Sequence, residues 1–201
     1  MEEFKTRDAK LGKLIVIGGP GGSGASTIAK RFATHFSLNY VYGGKLMRDF
    51  AKKNGFSSLT AFLKSDFFKE KQLEFDSFID SELMEQSSNK DVLIDSKVFA
   101  ALATKNKMPC TVKIWITASL ETRVARVVLK KGGVGNTQII RENLQKRYEK
   151  DRERFNKLYD VQFEKPDLYN DIVIDSSRQN PDETFNLILK LIKDKGYIEN
   201  S

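Results

Sequence analysis

A glycine-rich segment at residues 19–27 constrains the fold of this chain more than any other feature. It reads Gly-Pro-Gly-Gly-Ser-Gly-Ala-Ser-Thr, follows the apolar run at 14–17 and precedes apolar residues at helical spacing, from Ile28 to Phe36. A strand, a glycine-rich turn and a helix in this order are typical of a phosphate-binding loop, because glycine lets backbone N–H groups turn inward around an anion. The sequence therefore predicts an α/β fold with such a loop near its start.

The loop departs from the common phosphate-binding pattern at one position. Read against G-x-x-x-x-G-K-[ST], Gly19, Gly24 and Ser26 match, whereas Ala25 occupies the position of the lysine. In such loops the lysine reaches the outer phosphates of a nucleotide. The residues expected to bind the phosphates of a nucleotide cofactor are Gly19, Gly21, Gly22, Ser23, Gly24, Ala25, Ser26 and Thr27.

Alternation of apolar runs with helical patterns predicts the rest of the architecture. The candidate strands are the runs at 14–17, 38–42, 92–94, 112–116 and 172–174. Strand–helix alternation favours a parallel sheet covered by helices on both faces, and buried parallel strands are rich in β-branched residues. A chain of 201 residues accommodates one such domain. We therefore expect one α/β domain built on a five-stranded parallel sheet.

Composition excludes several classes of protein. Hydrophobic residues make up 40% and charged residues 30% of the chain, as in ordinary globular proteins. No apolar run reaches the ~18 residues of a membrane span. The first residues lack the apolar run of a secretory signal, and Cys110, the single cysteine, permits no internal disulfide. We expect a cytoplasmic protein that does not associate with membranes.

The charged residues behind the net charge of +7 are not spread evenly. Basic residues crowd positions 141–157, where they alternate with acidic ones. Such a basic helix has three readings: it binds RNA, it closes over the phosphates of a nucleotide, or it is a solvated face. Because the basic residues converge on the candidate phosphate site, a nucleic-acid partner is the least favoured of these.

Polar residues follow the candidate strands at the edge where an open α/β sheet binds its ligands. Asp95 and Lys97 follow the third strand, and Arg48 lies shortly after the second. Carboxylate oxygen suits Mg²⁺, so Asp95 is a candidate to hold that ion; capping of the next helix is an equally good reading of the aspartate. Lys97 and Arg48 would face a phosphate from different strands.

The basic helix carries a second candidate group. Arg147, Asp151 and Arg154 recur at i, i+4 and i+7 and share one face. Two arginines with a carboxylate between them could clamp a transferring phosphoryl group, with Asp151 orienting them. Spacing alone favours an ion-paired solvent face instead.

Taken together, these motifs resemble the nucleoside monophosphate kinases of the P-loop class, and most of all the cytidylate kinases of the short archaeal-like type. The resemblance spans about residues 13–193 and rests on the loop, the segments 44–51, 95–97, 112–116 and 169–177, and the spacing of Arg147, Asp151 and Arg154. It implies a P-loop core at about 13–45, 90–130 and 160–195. It further implies a helical monophosphate-binding insertion at about 46–89 and a lid at about 131–158.

The resemblance also implies residue roles. The acceptor monophosphate would be bound by Arg48, Asp76, Asp80 and Lys97. Arg123 and the lid residues Arg147, Asp151 and Arg154 would be catalytic, stabilising the transferring group. Ser26 and Asp95 would serve Mg²⁺, and Ser177 and Arg178 would lie by the base of ATP.

The resulting hypotheses belong to different classes. The first is a monomeric kinase that transfers the γ-phosphate of ATP, with Mg²⁺, to CMP or dCMP; UMP and AMP stay open as acceptors. The second is a nucleotide-binding pseudokinase or regulatory module, because Ala25 removes a cation from the phosphate loop. The third, an RNA-binding protein that uses the basic helix, is the least favoured.

Overall fold

Five parallel strands form the centre of the structure, a computed structural model that describes residues 7–198. They are β1 (Leu14–Gly18), β2 (Asn39–Tyr42), β3 (Val92–Asp95), β4 (Val112–Thr117) and β5 (Ile172–Asp175). Their order across the sheet is β2-β3-β1-β4-β5, and every neighbouring pair is parallel. β1 is buried along its whole length because it lies in the middle. The predicted α/β sheet is confirmed.

Within residues 7–198, eight α-helices connect and cover the strands. They are α1 (Ala25–His35), α2 (Gly43–Lys53), α3 (Leu59–Lys64), α4 (Asp66–Ser87), α5 (Phe99–Lys105), α6 (Leu120–Lys130), α7 (Thr137–Tyr159) and α8 (Pro181–Asp194). Local sequence fixes several helix starts: the Asn180 side chain caps α8 in a reciprocal capping box with Glu183, and Asn136 caps α7. Within residues 7–198, no helix has both the length and the apolar character that a membrane crossing requires.

The two faces of the sheet carry separate hydrophobic cores, because successive side chains of a strand point to opposite faces. Ile15 and Ile17 of β1 pack with α1 and α8, where Phe32 and Ile188 are fully buried. Leu14 and Val16 belong to the other core, which α4 and α5 complete. Helices on both faces leave the carboxyl ends of the strands as the open edge of the sheet.

Phenylalanines hold helices α2, α3 and α4 together beside that open edge. The rings of Phe50, Phe62 and Phe75 pack with centroids 5.1–5.8 Å apart, and Phe62 and Phe75 are fully buried. On the other side, α6 and α7 form a hairpin whose contact includes Val124 and Leu144. These two helical units face each other across the sheet edge.

Candidate active site

A cavity of about 760 Å³ opens at the carboxyl ends of the strands. Its volume lies within the range of small-molecule sites. The loop at 19–27, α4, α6, α7, the end of β3 and the segment after β5 all contribute to its lining. Charged and phenolic side chains of the lining are Tyr42, Asp76, Asp80, Asp95, Lys97, Arg126, Lys130, Arg147, Asp151, Arg154 and Tyr159. The fold thus gathers residues from most of the chain at one site.

The glycine-rich loop forms the floor of the cavity between β1 and α1. Gly22 and Gly24 have positive φ values of 85° and 95°, which residues with side chains rarely adopt. Gly24 is also the N-cap of α1 and offers no side-chain cap. The Ala25 N–H donates to Ser23 Oγ and the Thr27 N–H to the Gly24 carbonyl oxygen, which leaves the Ser26 N–H of the first turn available for an anion. Ala25 is buried and lines the cavity at the position of the usual lysine.

Asp95 and Ser26 place two oxygen ligands beside the loop. Asp95 ends β3, and its carboxylate accepts hydrogen bonds from the Tyr40 hydroxyl at 2.7 Å and from the Ser26 hydroxyl. Burial raises the pKa of Asp95, while these two bonds and the nearby Lys30 charge oppose the rise. No cluster of three or more His, Cys, Asp or Glu side chains suited to a metal occurs within residues 7–198. The pair fits Mg²⁺ that takes its remaining ligands from phosphate and water.

Lys97 forms an ion pair with Asp151, a residue of α7. Both side chains are about four-fifths buried. Burial lowers the pKa of Lys97, and the Asp151 carboxylate counteracts this effect. The sequence predicts that Asp151 orients Arg147 and Arg154. In the structure Asp151 instead pairs with Lys97, which follows the carboxyl end of β3 and thereby brings its ammonium group to α7.

Arg154 links α7 to α4 through a bidentate ion pair with Asp76. The Arg154 side chain is 16% exposed and that of Asp76 only 3%. The guanidinium also lies 5.5–5.6 Å from the ring centroids of Phe68, Phe75 and Phe155. Burial lowers the pKa of Arg154. The hypothesis of a plain solvent face is therefore wrong for this arginine.

Asp80 lies one helical turn beyond Asp76 on α4 and lines the cavity. Its carboxylate accepts a hydrogen bond from the Tyr159 hydroxyl. Burial raises the pKa of Asp80, and the bond from Tyr159 opposes the rise. Burial also raises the pKa of Tyr159. Within residues 7–198, Asp80 has no cationic partner, so it presents an acceptor oxygen to the cavity.

Arg123 occupies a different position from the one that the sequence predicts. Its Nε donates to the carbonyl oxygen of Gly21 at 2.8 Å, its guanidinium lies 6.0 Å from the Tyr148 ring, and it is absent from the cavity lining. The side chain is buried behind the loop because α6 passes there. It therefore cannot contact a transferring group directly in this conformation.

Arg126, which the sequence analysis does not single out, both lines the cavity and braces the loop. Its guanidinium donates to the carbonyl oxygens of Ser23, Ser176 and Gln179 at 2.7, 2.6 and 3.0 Å, and to the Ser176 hydroxyl at 3.0 Å. It thereby ties the phosphate loop to the segment after β5. The sequence feature that could have identified Arg126 is its spacing of three residues from Arg123, which places both arginines on one face of the same helix.

Three other expected residues lie outside the lining. Arg48 is exposed, with its guanidinium 5.1 Å from the Tyr42 ring, and Tyr42 lines the cavity in its place. Ser177 bonds to Asp175 and to the Ser119 backbone, and Arg178 is exposed. Their neighbours Ser176 and Gln179 line the cavity instead.

A phosphate-binding loop at the open edge of a parallel sheet, with cations on a facing hairpin, defines a P-loop kinase. Comparison with known proteins agrees. A family model for an AAA domain matches residues 17–135. A second model, for the cytidylate kinase-like family, matches residues 100–178. The cytidylate kinase of Methanopyrus kandleri is 34% identical over 181 residues, which cover 87% of this chain and 90% of that protein. The cytidylate kinase of Methanococcus aeolicus is 31% identical over 186 residues, which cover 90% of this chain and 98% of that protein.

The chain belongs to the cytidylate kinase family. It is accordingly an ATP-dependent phosphotransferase. A shikimate kinase from Acinetobacter baumannii, solved in complex with shikimate, shares the fold with a TM-score of 0.59. That structure is 15% identical and the alignment covers 94% of this chain and 97% of that one.

Proposed function

We propose that this protein transfers the γ-phosphate of ATP to CMP or dCMP. An acceptor phosphate oxygen attacks the γ-phosphorus, the bond from that phosphorus to the ADP oxygen breaks, and CDP or dCDP forms. The observation that carries the proposal is the convergence of the phosphate loop with Lys97, Arg147 and Arg154 on one cavity. Phosphoryl transfer needs little beyond positioning and charge stabilisation, which such an arrangement supplies.

On the ATP side, the loop at 19–27 binds the phosphates through its N–H groups and the N-terminus of α1. Ser26 and Asp95 hold Mg²⁺, which when bound neutralises charge between the phosphates. Ser176 and Gln179 line the cavity after β5, and we expect the base of ATP to lie beside them. Ser177 and Arg178 contribute to that region through the backbone of the same turn.

On the acceptor side, the two ion pairs hold cations ready for a phosphate. Lys97 and Arg154 each have a carboxylate partner in the free protein, Asp151 and Asp76. An acceptor phosphate replaces Asp151 at Lys97, with Arg147 close enough to act on the same charge. The units at about 46–89 and 131–158 then act as monophosphate-binding insertion and lid. Arg48 contributes only if it leaves its position over Tyr42.

Asp80 supplies the preference for cytosine. Its ionised carboxylate only accepts hydrogen bonds, and the exocyclic amine of cytosine donates where uracil presents a carbonyl oxygen. The phenol of Tyr159 orients the carboxylate. A carboxylate that meets a carbonyl oxygen leaves both acceptors unpaired, which disfavours UMP.

A coupled assay of ADP formation tests the proposal. Mg²⁺-ATP is supplied with CMP, dCMP, UMP and AMP in turn, and Asp95→Asn serves as the impaired variant. We expect turnover that is fastest with CMP or dCMP and that Asp95→Asn reduces strongly. Absence of turnover with every monophosphate would refute the proposal.

Ala25 favours a second candidate function, a nucleotide-binding regulatory module without phosphoryl transfer. Such a module binds ATP and monophosphate in the same cavity but forms no diphosphate. Binding of both nucleotides by calorimetry, together with a silent assay, would establish it. Recovery of turnover by Ala25→Lys would then identify the loop as the disabled part.

A further inference from the structure

Two arginines of α6 hold carbonyl groups of the phosphate loop, Arg123 from outside the cavity and Arg126 from its lining. Arg123 and Arg126 lie three residues apart on the helix, so they share a face. Arg123 bonds to the carbonyl oxygen of Gly21 at 2.8 Å, and Arg126 bonds to that of Ser23 at 2.7 Å. A Cβ placed at Gly24 would lie 3.7 Å from the Arg126 guanidinium. Both arginines therefore contact residues inside the phosphate loop, between Gly21 and Gly24.

These bonds set the direction of the loop's donors. The N–H and C=O of a planar trans peptide point in opposite directions. Since the carbonyl groups of Gly21 and Ser23 point to the arginines, the N–H groups of Gly22 and Gly24 point away from them. Neither N–H group has a protein acceptor within residues 7–198, and both glycines line the cavity. Two free donors thus face the place of the phosphates.

The same contacts bring positive charge to the loop. Within the part of the chain that the structure describes, neither arginine has an ion-pair partner; Asp175 acts on Arg126 only at longer range. Arginine stays protonated in proteins, and its hydrogen bond to a carbonyl polarises the peptide and strengthens the N–H as a donor. The charge that other loops receive from a lysine is absent here at Ala25.

We propose that Arg123 and Arg126 are positioning residues that replace the missing lysine. They hold the loop's peptides with the N–H groups turned to the phosphates, and they supply positive charge through those peptides. Ser176 supports the arrangement, because its hydroxyl lies between the Ser23 and Thr117 carbonyl oxygens, at 3.1 and 3.0 Å, and shares its one proton between them. The inference rests on the proposed function in one respect, that the loop binds the phosphates of ATP.

A double-mutant cycle between Arg126→Gln and Ala25→Lys tests this replacement. The measurement is calorimetric binding of inorganic triphosphate and of ATP at fixed ionic strength, for the unaltered protein, each single variant and the double variant. Because a hydrogen bond to a charged group is worth about 1.5–3 kcal/mol, Arg126→Gln should weaken triphosphate binding about tenfold to hundredfold. Ala25→Lys should restore most of that loss in the Arg126→Gln background, yet improve the unaltered protein less than about threefold.

Independent effects of the two substitutions would overturn the inference, and so would an unaltered protein that fails to bind triphosphate. Arg126→Lys, which keeps the charge, should retain more affinity than Arg126→Gln; equal losses would count against the role of charge. The cycle is repeated with Arg123→Gln in case Arg126→Gln unfolds, with thermal unfolding as the check on folding. Kinase turnover of the unaltered protein tests the proposed function separately, since triphosphate binding requires no transfer.

Discussion

Replacement of Asp76 by asparagine should destabilise the protein strongly, because it leaves Arg154 charged and enclosed. The Arg154 side chain is 16% exposed, with three phenylalanine rings near its guanidinium, so water can solvate it only at one edge. Loss of one partner of a buried ion pair costs about 3–5 kcal/mol, and the remaining exposure places this pair at about 3 kcal/mol. With a urea m value of about 2 kcal/mol/M, the unfolding midpoint should fall by about 1.5 M.

A second substitution distinguishes a lost attraction from a stranded charge. Arg154→Met in the Asp76→Asn background removes the charge and leaves a flexible apolar side chain among the same rings. The double variant should regain about 2 kcal/mol in the free energy of unfolding. Glu74→Gln, which breaks the exposed pair with Lys71 on the same helix, is the matched control and should show no measurable change.

Urea unfolding followed by circular dichroism measures all four proteins. If Asp76→Asn costs less than about 1 kcal/mol, water screens the pair and the buried contact between α4 and α7 contributes little. If Arg154→Met fails to restore stability, the guanidinium was not the cause of the loss. Either result would refute the reasoning from burial.

Three further predictions concern the carboxylates of the cavity. Asp80→Asn should raise the ratio of kcat/KM for UMP to that for CMP about tenfold, because an amide can also donate to uracil; an unchanged ratio would exclude Asp80 from base selection. Asp95→Asn should lower kcat about a hundredfold at saturating Mg²⁺-ATP, and full activity would remove it from the metal site. Burial raises the pKa of Asp80, so its contribution to stability is present below the ordinary carboxyl range and lost as pH rises through the raised pKa. Urea unfolding at a series of pH values should show that the free energy of unfolding falls less steeply with rising pH in Asp80→Asn than in the unaltered protein. An equally steep fall in both proteins would contradict this.

Local sequence was sufficient for the fold. The runs at 14–17, 92–94, 112–116 and 172–174 became strands that extend one residue further, and the run at 38–42 became Asn39–Tyr42. Apolar runs and cap residues such as Asn180 act over a few positions, so their effect can be derived from neighbouring residues. The cavity also lies where parallel strands end, as the order of the elements predicts.

The partners of the charged residues could not be derived in the same way. Asp151 pairs with Lys97 across 54 positions, and Arg154 pairs with Asp76 across 78. Spacing on one helix favoured Asp151 as a partner of the arginines, because helical neighbours are visible in sequence and tertiary neighbours are not. Arg123 shows the same limit: it was expected to stabilise the transferring group, but its bond to the Gly21 carbonyl depends on the path of α6 past the loop.

Single-turnover transfer of labelled phosphate tests the central claim most directly. The unaltered protein, in excess over [γ-³²P]ATP, is mixed with CMP and Mg²⁺, and labelled CDP is separated from ATP and inorganic phosphate. We predict that the label moves to CDP, that UMP accepts it more slowly, and that Asp95→Asn slows the transfer. Label that stays on ATP, or appears only as inorganic phosphate, would contradict a kinase whose loop works without its lysine.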